Sequence, residues 1–147
     1  MDRRNIFKGL FSGIAGIGIV SSAKAATSGA DAARVVYHLS ELDRVAFALG
    51  NMSNHYEGMG GGEKVRIAFV ALGPGLRPFV AANADEAFRK RLAPLEKEGL
   101  EMWACSNTLR GMKLTINDLV PGFKLADKGG VVKLAELQGQ GWTYLRP

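Results

Sequence analysis

Residues 100–111 read LEMWACSNTLRG, and this stretch contains a direct transition from a strand to a helix. Residues 100–105 are mostly apolar and bounded by glycine and polar residues, which predicts a short buried strand. Ser106, Asn107 and Thr108 follow at once, and these residue types favour the start of a helix. The stretch therefore predicts a strand that ends at Cys105 and a short turn of helix over residues 106–111.

The same alternation of strand and helix recurs about five times along the chain. Strands are predicted at residues 34–39, 65–72, 100–105, 123–126 and 142–146. Helices are predicted between them: one with Leu42, Val45, Ala46, Leu49 and Met52 on one face, then 84–98, 106–111, a capped turn at 115–118, and 131–138. This pattern favours a doubly wound, mostly parallel α/β sheet of about five strands with helices on both faces.

Local capping signals set the predicted starts of these helices. Ser40 with Asp43 resembles a capping box for the first helix, and Asn83 with Glu86 does the same for the second. The glycine-rich residues 57–63 follow a helix and precede a strand, so they indicate a helix end and a connection. A phosphate-binding loop would instead follow a strand and open a helix.

The first 25 residues have the three parts of a secretory signal. Arg3 and Arg4 precede a mildly apolar stretch at residues 10–20, which ends in the small-residue tripeptide at 23–25. Adjacent arginines with weak hydrophobicity favour the twin-arginine route, which predicts a periplasmic protein. The expected organisation is a signal peptide at 1–25, a flexible lead-in at 26–33 and one domain at 34–147. An uncleaved signal that acts as a tether is the alternative.

Removal of this segment changes the charge of the chain. The mature part has 122 residues, and its net charge falls from +5 to +2 because most of the removed charges are positive. The high calculated pI therefore gives no support for a nucleic-acid partner. The apolar stretch of the signal is about half the roughly 20 residues that span a bilayer. We expect no nucleic-acid binding and no stable membrane span in the mature protein.

Cys105 is the only cysteine, so it cannot form a disulfide within the chain. It is expected to be buried and inert, paired between chains, or reactive. At the carboxyl end of a strand and before a helix start, a thiolate is stabilised by free backbone N–H groups and by the helix dipole. Arg110, one turn later, is a further source of positive charge. Burial at the end of the strand is the structural alternative.

The two histidines give weaker signals. His38 ends the first predicted strand, so in a parallel sheet it lies at the same edge as Cys105, where a Cys–His pair would suggest nucleophilic catalysis. A structural histidine is the alternative, and His55 is expected to be solvated at a polar helix end. One cysteine and two scattered histidines match no zinc-ligand spacing, so no metal site is predicted.

Three motifs together resemble the DsrE/DsrF-like family. They are the segment from Trp103 to Leu109 around Cys105, the turn Gly73-Pro74-Gly75 after the second strand, and the ending Gly-aromatic-x-aromatic-Leu-Arg-Pro147. The resemblance covers residues 34–147. It implies a doubly wound α/β fold and homo-oligomers, either trimers or hexamers.

In members that act in sulfur metabolism, the cysteine that matches Cys105 carries sulfur as a persulfide. The resemblance thus implies a sulfur carrier or sulfurtransferase that works with a donor or acceptor protein and needs no metal or organic cofactor. Its expected site is Cys105 with a rim of His38, Gly73, Pro74, Gly75, Asn107 and Arg110. The alternative is an oligomeric module of the same fold that binds a small molecule or protein without catalysis.

Overall fold

The computed structural model describes residues 31–147. The expected signal peptide at 1–25 and residues 26–30 of the expected lead-in lie outside the described residues. The first strand begins at Ala33, one residue before the predicted domain start. From residue 31 onward, no helix has the length and apolar character needed to cross a membrane.

One five-stranded sheet forms the centre of the structure, and all of its strands are parallel. Its strands are β1 (Ala33–Leu39), β2 (Val65–Ala71), β3 (Glu101–Cys105), β4 (Phe123–Ala126) and β5 (Thr143–Leu145). Their order across the sheet is β4-β3-β2-β1-β5. The predicted α/β class and strand number are confirmed.

Four α-helices connect the strands: α1 (Val45–Met59), α2 (Glu86–Lys97), α3 (Ser106–Gly111) and α4 (Gly130–Gly139). Single 3₁₀ turns occupy Leu42–Arg44 and Ile116–Asp118, and a longer 3₁₀ segment occupies Gly73–Phe79. Buried residues of α1, α2 and α3 join one large apolar cluster, whereas α4 contributes to a separate, smaller one. The helices therefore lie on both faces of the sheet, as predicted, with α4 alone on the second face.

The alternation of side chains along the strands divides the core. In β1, Val35, Tyr37 and Leu39 face the large cluster, and Val36 faces the small cluster that includes Leu134 of α4. Because both faces are covered, the central strands carry apolar residues on both sides, which explains their nearly continuous apolar sequence.

Two of the predicted helix starts are wrong. The first helical turn begins at Leu42, and its N-cap residue Glu41 forms no side-chain capping bond. In α2 the N-cap is Asp85, whose carboxylate accepts a hydrogen bond of 2.7 Å from the Phe88 N–H. Asn83 instead donates its side-chain N–H to the Arg77 carbonyl. Asn83 and Asp85 are both capping residue types and lie two positions apart, so spacing alone did not identify the one used.

The face of α1 that packs on the sheet also differs from the prediction. Leu42 and Ala46 are exposed, whereas Ala48 and Tyr56 complete the buried face with the predicted Val45, Leu49 and Met52. The 3₁₀ geometry of Leu42–Arg44 turns Leu42 away from the α-helical face that begins at Val45. The predicted capping box of Thr115 with Asp118 is confirmed, and α1 ends at a left-handed glycine within the predicted connection.

Candidate functional site around Cys105

Cys105 lies where two neighbouring strands send their connections to opposite faces of the sheet. After β3 the chain enters α3 on the face of the large core, and after β4 it enters α4 on the other face. Cys105 ends β3 and pairs in register with Ala126 at the end of β4. In open α/β sheets, such a switch point opens a crevice beyond the carboxyl ends of the strands, and ligands bind there.

Hydrogen-bond donors from the starts of α3 and α4 surround the Cys105 thiol. Burial raises its pKa, but hydrogen bonds from the Thr108 side chain and from the backbone N–H groups of Gly130, Thr108 and Asn107 outweigh burial. The pKa of the thiol therefore lies below its ordinary value. Only 5 % of Cys105 is exposed. The site thus combines a buried sulfur atom with groups that favour the thiolate.

The Thr108 hydroxyl links the thiol to the connection after β2. Its oxygen accepts a hydrogen bond of 2.8 Å from the Gly73 N–H. This connection is held tightly against β1, because a Cβ atom on Gly75 would lie 2.5 Å from the Leu39 carbonyl oxygen. Only a glycine at position 75 therefore allows this turn to approach the backbone of β1 so closely.

A second glycine pair, Gly129 and Gly130, opens α4 beside the thiol. A Cβ atom on Gly130 would lie 3.1 Å from Cβ of Cys105 and 3.1 Å from Cδ2 of Leu72. Sequence reasoning did not include this pair in the site. The signal was present, however, because two glycines come between a strand and a helix, which is the context expected of an anion-binding loop.

Polar residues that follow Cys105 stabilise the start of α3 and the connection before α4. The Ser106 hydroxyl donates to the Asp127 carbonyl at 2.8 Å and joins the start of α3 to the connection before α4. The Arg110 guanidinium donates to the Asn107 side-chain oxygen at 2.7 Å. Both Asn107 and Arg110 are exposed. Of the predicted rim, Asn107 therefore lies at the thiol and Gly73 is linked to it through Thr108. Pro74 and Gly75 follow Gly73 along the chain, and Arg110 is bonded to Asn107.

His38 is not brought to the thiol. It lies on β1 and pairs with Val70 of β2, which pairs with Trp103 of β3, so two strand spacings, about 10 Å in all, separate the backbones of β1 and β3 at this level. Its Nδ1 atom is hydrogen-bonded to the Tyr144 hydroxyl at 2.7 Å. Burial and the Arg146 charge lower the pKa of His38, while Glu41 raises it. This separation removes the interpretation of His38 as a base for Cys105.

His55 also has a structural contact instead of the solvated position expected. Its Nδ1 atom is hydrogen-bonded to the Tyr37 hydroxyl at 2.9 Å. Within residues 31–147, no group of three or more histidine, cysteine or acidic side chains is placed to hold a metal ion.

A shallow groove adjoins the site on the α3 side of the sheet. Its volume is about 370 Å³, and mostly apolar side chains line it with Arg110 at its edge. Leu125 of β4 forms one wall and is 44 % exposed. The groove also reaches Ser106, directly after Cys105.

No protein-family model matches the chain, and no curated protein matches it. Among solved structures, the protein of unknown function MTH1491 from Methanobacterium thermoautotrophicum is 31% identical, with a TM-score of 0.67. The match covers 78% of this chain and 99% of MTH1491.

Two further solved structures share the fold at lower identity. The ychN protein from E. coli is 10% identical, with a TM-score of 0.57, over 78% of this chain and 99% of its own. The protein of unknown function BT1422 from Bacteroides thetaiotaomicron is 14% identical, with a TM-score of 0.51, over 83% of this chain and 99% of its own. The identity and coverage shared with MTH1491 place this chain in the same family, whose members have the DsrE-like fold.

Proposed function

We propose that Cys105 carries a sulfur atom as a transient persulfide and passes it to an acceptor thiol. The observation that carries this proposal is the set of N–H and hydroxyl donors around the Cys105 sulfur, which lowers its pKa despite burial. A thiolate is the form of cysteine that attacks a sulfur donor. The resemblance of the segment around Cys105 to that of sulfur-carrying DsrE/DsrF-like proteins supports the same role.

The chemistry requires only sulfur exchange. The Cys105 thiolate attacks the outer sulfur of a donor persulfide, a new S–S bond forms, and the donor's S–S bond breaks. The donor leaves as a thiolate, and Cys105 becomes a persulfide. An acceptor thiolate then attacks the outer sulfur, and Cys105 leaves as a thiolate again. No electrons are gained or lost overall, so no redox cofactor enters the exchange.

The donors around the thiol favour both halves of this exchange. They stabilise the attacking thiolate in the first half and the departing thiolate in the second. Because only 5 % of Cys105 is exposed, its sulfur is also shielded from bulky oxidants. Such shielding suits a lone thiol in an oxidising compartment. The arginine pair and apolar stretch at the N-terminus support export to the periplasm as part of this proposal.

Assembly into a homo-oligomer is a further part of the proposal. Val131 and Val132 at the start of α4 are 69 % and 41 % exposed. These apolar side chains lie directly after Gly130, which packs closely against Cys105. A second copy that covers them would therefore also cover the α4 side of the Cys105 site. Light scattering of the mature protein measures the number of copies, and a monomer at working concentration contradicts this part.

Mass spectrometry tests persulfide formation directly. The folded mature protein is incubated with inorganic polysulfide, a donor small enough for a nearly buried thiol. We expect a gain of about 32 Da on the peptide that contains Cys105. Because two added oxygen atoms give nearly the same mass, the sample is then treated with dithiothreitol. A persulfide is removed by this reductant and a sulfinic acid is not.

Cys105→Ser is the control, since serine preserves the size of the side chain and cannot carry sulfur. If the wild-type protein gains no reducible mass while the same polysulfide loads a small thiol, the proposed function is wrong.

A second candidate function is ligand binding without catalysis, and the apolar groove beside α3 favours it. Its mostly apolar lining with Arg110 at the edge suits an anionic ligand with an apolar body. The fluorescent anion ANS is a suitable probe. Binding that persists in Cys105→Ser and is lost in Arg110→Glu supports this function, and binding that needs the thiol contradicts it.

A further inference from the structure

The Thr108 hydroxyl forms a hydrogen bond to a residue outside its own helix. Its oxygen accepts from the Gly73 N–H at 2.8 Å, a contact between residues 35 positions apart. A hydroxyl has only one hydrogen. Thr108 is the third residue of α3 and Cys105 is its N-cap, and a side chain at the third position reaches back toward the N-cap residue. With its oxygen engaged by Gly73, the Thr108 hydroxyl can donate its hydrogen to the Cys105 sulfur, and such a hydrogen bond lowers the pKa of the thiol. The hydroxyl therefore bridges a fixed backbone donor and the sulfur atom.

The backbone on the far side of this bridge has little freedom to move. Gly73 begins the 3₁₀ segment Gly73–Phe79. The same segment is locked against β1, because any side chain at Gly75 would collide with the Leu39 carbonyl oxygen. The Gly73 N–H is thus a rigid donor that fixes the orientation of the Thr108 hydroxyl.

We infer that Thr108 is a positioning residue that directs its hydroxyl hydrogen at the Cys105 sulfur and so couples thiolate formation to the glycine turn after β2. The role of Thr108 in sulfur transfer rests on the proposed function. The effect on the thiol itself holds for any reaction of Cys105.

Helix stability offers no competing reason for threonine here. Thr108 lies within α3, which has six residues and begins directly after Cys105. A β-branched residue is not favoured inside a helix. A packing role would need only the shape of the side chain, whereas both the hydrogen bond from the Gly73 N–H and the inferred role need the hydroxyl. Valine and serine separate these requirements, since valine keeps the shape and serine keeps the hydroxyl.

The pH dependence of Cys105 alkylation by iodoacetamide measures the effect in the folded protein. In Thr108→Val we expect the alkylation profile to move up by about one pH unit, so that alkylation at a pH below the thiol pKa is about tenfold slower. Thr108→Ser is expected to retain the wild-type profile. Thr143→Val, the same change on the edge strand β5 and away from Cys105, is the control and should have no effect.

Several outcomes overturn the inference. A wild-type alkylation profile in Thr108→Val does so, and so does a profile in Thr108→Ser that matches the valine variant. Circular dichroism and thermal unfolding confirm that each variant is folded. If valine prevents folding, Thr108→Ala removes the hydroxyl without added bulk, and a wild-type profile in that variant is equally decisive.

Polysulfide loading of the same variants separates this inference from the proposed function. A shifted alkylation profile without any sulfur loading in the wild type retains the role of Thr108 and rejects sulfur transfer. Normal loading in the wild type with no shift in Thr108→Val or Thr108→Ala rejects the role of Thr108 alone.

Discussion

Gly130→Ala tests how closely α4 approaches the candidate site. The added methyl group would lie 3.1 Å from Cβ of Cys105 and from Cδ2 of Leu72, which is tighter than an ordinary van der Waals contact. Gly130 has no left-handed backbone conformation, so the cost comes from crowding alone. The Leu72 side chain can move, but the Cβ atom of Cys105 is fixed by the strand. The start of α4 must therefore shift away from the sulfur.

The expected loss of stability follows from two opposing effects. Crowding in a well-packed site costs about 1–3 kcal/mol. Alanine is a better helix former than glycine by up to about 1 kcal/mol, and less at the first residue of a helix. The net decrease in the free energy of unfolding is thus about 1–2 kcal/mol. For a domain of this size, the melting temperature should fall by about 3–8 °C.

Thermal unfolding and iodoacetamide alkylation together provide the assay. A displaced Gly130 N–H no longer donates to the thiol, so the alkylation profile should also move to higher pH. Gly139→Ala is the matched control on the same helix, because nothing lies within 4 Å of a Cβ atom there. It should leave stability unchanged or raise it slightly. A Gly130→Ala variant that melts at or above the wild-type temperature with an unchanged alkylation profile would contradict the close approach of α4 to Cys105.

Two further predictions concern the fold. Asp85→Ala removes the side-chain cap of α2 and should cost about 1 kcal/mol in chemical denaturation, with a smaller loss in Asn83→Ala because Asn83 does not cap the helix. Burial raises the pKa of Glu101, but hydrogen bonds from Arg66 and Lys124 outweigh it and lower the pKa. Its stabilising effect should therefore be complete at neutral pH and disappear as the pH falls through the folded-state pKa. Glu101→Gln should weaken this acid dependence, and an unchanged dependence would contradict it.

Local patterns predicted most of the fold because each strand carries its own signal. The β-formers at residues 34–39 and the strand-to-helix transition at Cys105 match β1, β3 and α3 closely. Strand order was not available from such patterns. The position of β5 beside β1, with α4 crossing the second face, depends on how the whole chain packs.

The candidate site shows the same limit. Helix-start residues after Cys105 indicated backbone donors from Asn107 and Thr108, which are close in sequence. The donor at Gly130 comes from another connection and depends on the register of β3 with β4. His38 was placed at the correct edge of the sheet, but its distance from Cys105 depended on the strand order. The sequence therefore predicted that Cys105 and His38 lie at the carboxyl edge of the sheet, but it did not predict which residues are neighbours along that edge.

The placement of Gly130 beside Cys105 has a consequence for the order of folding. Gly130 follows the cysteine by 25 residues, and the Gly73 partner of Thr108 precedes Thr108 by 35. Long-range contacts of this kind form late, after the cost of closing the intervening loops has been met. A nascent or partly folded chain therefore has a cysteine of ordinary acidity that is open to solvent. The acidic, shielded thiol appears only on completion of the native topology, so its reactivity can serve as a chemical readout of correct folding.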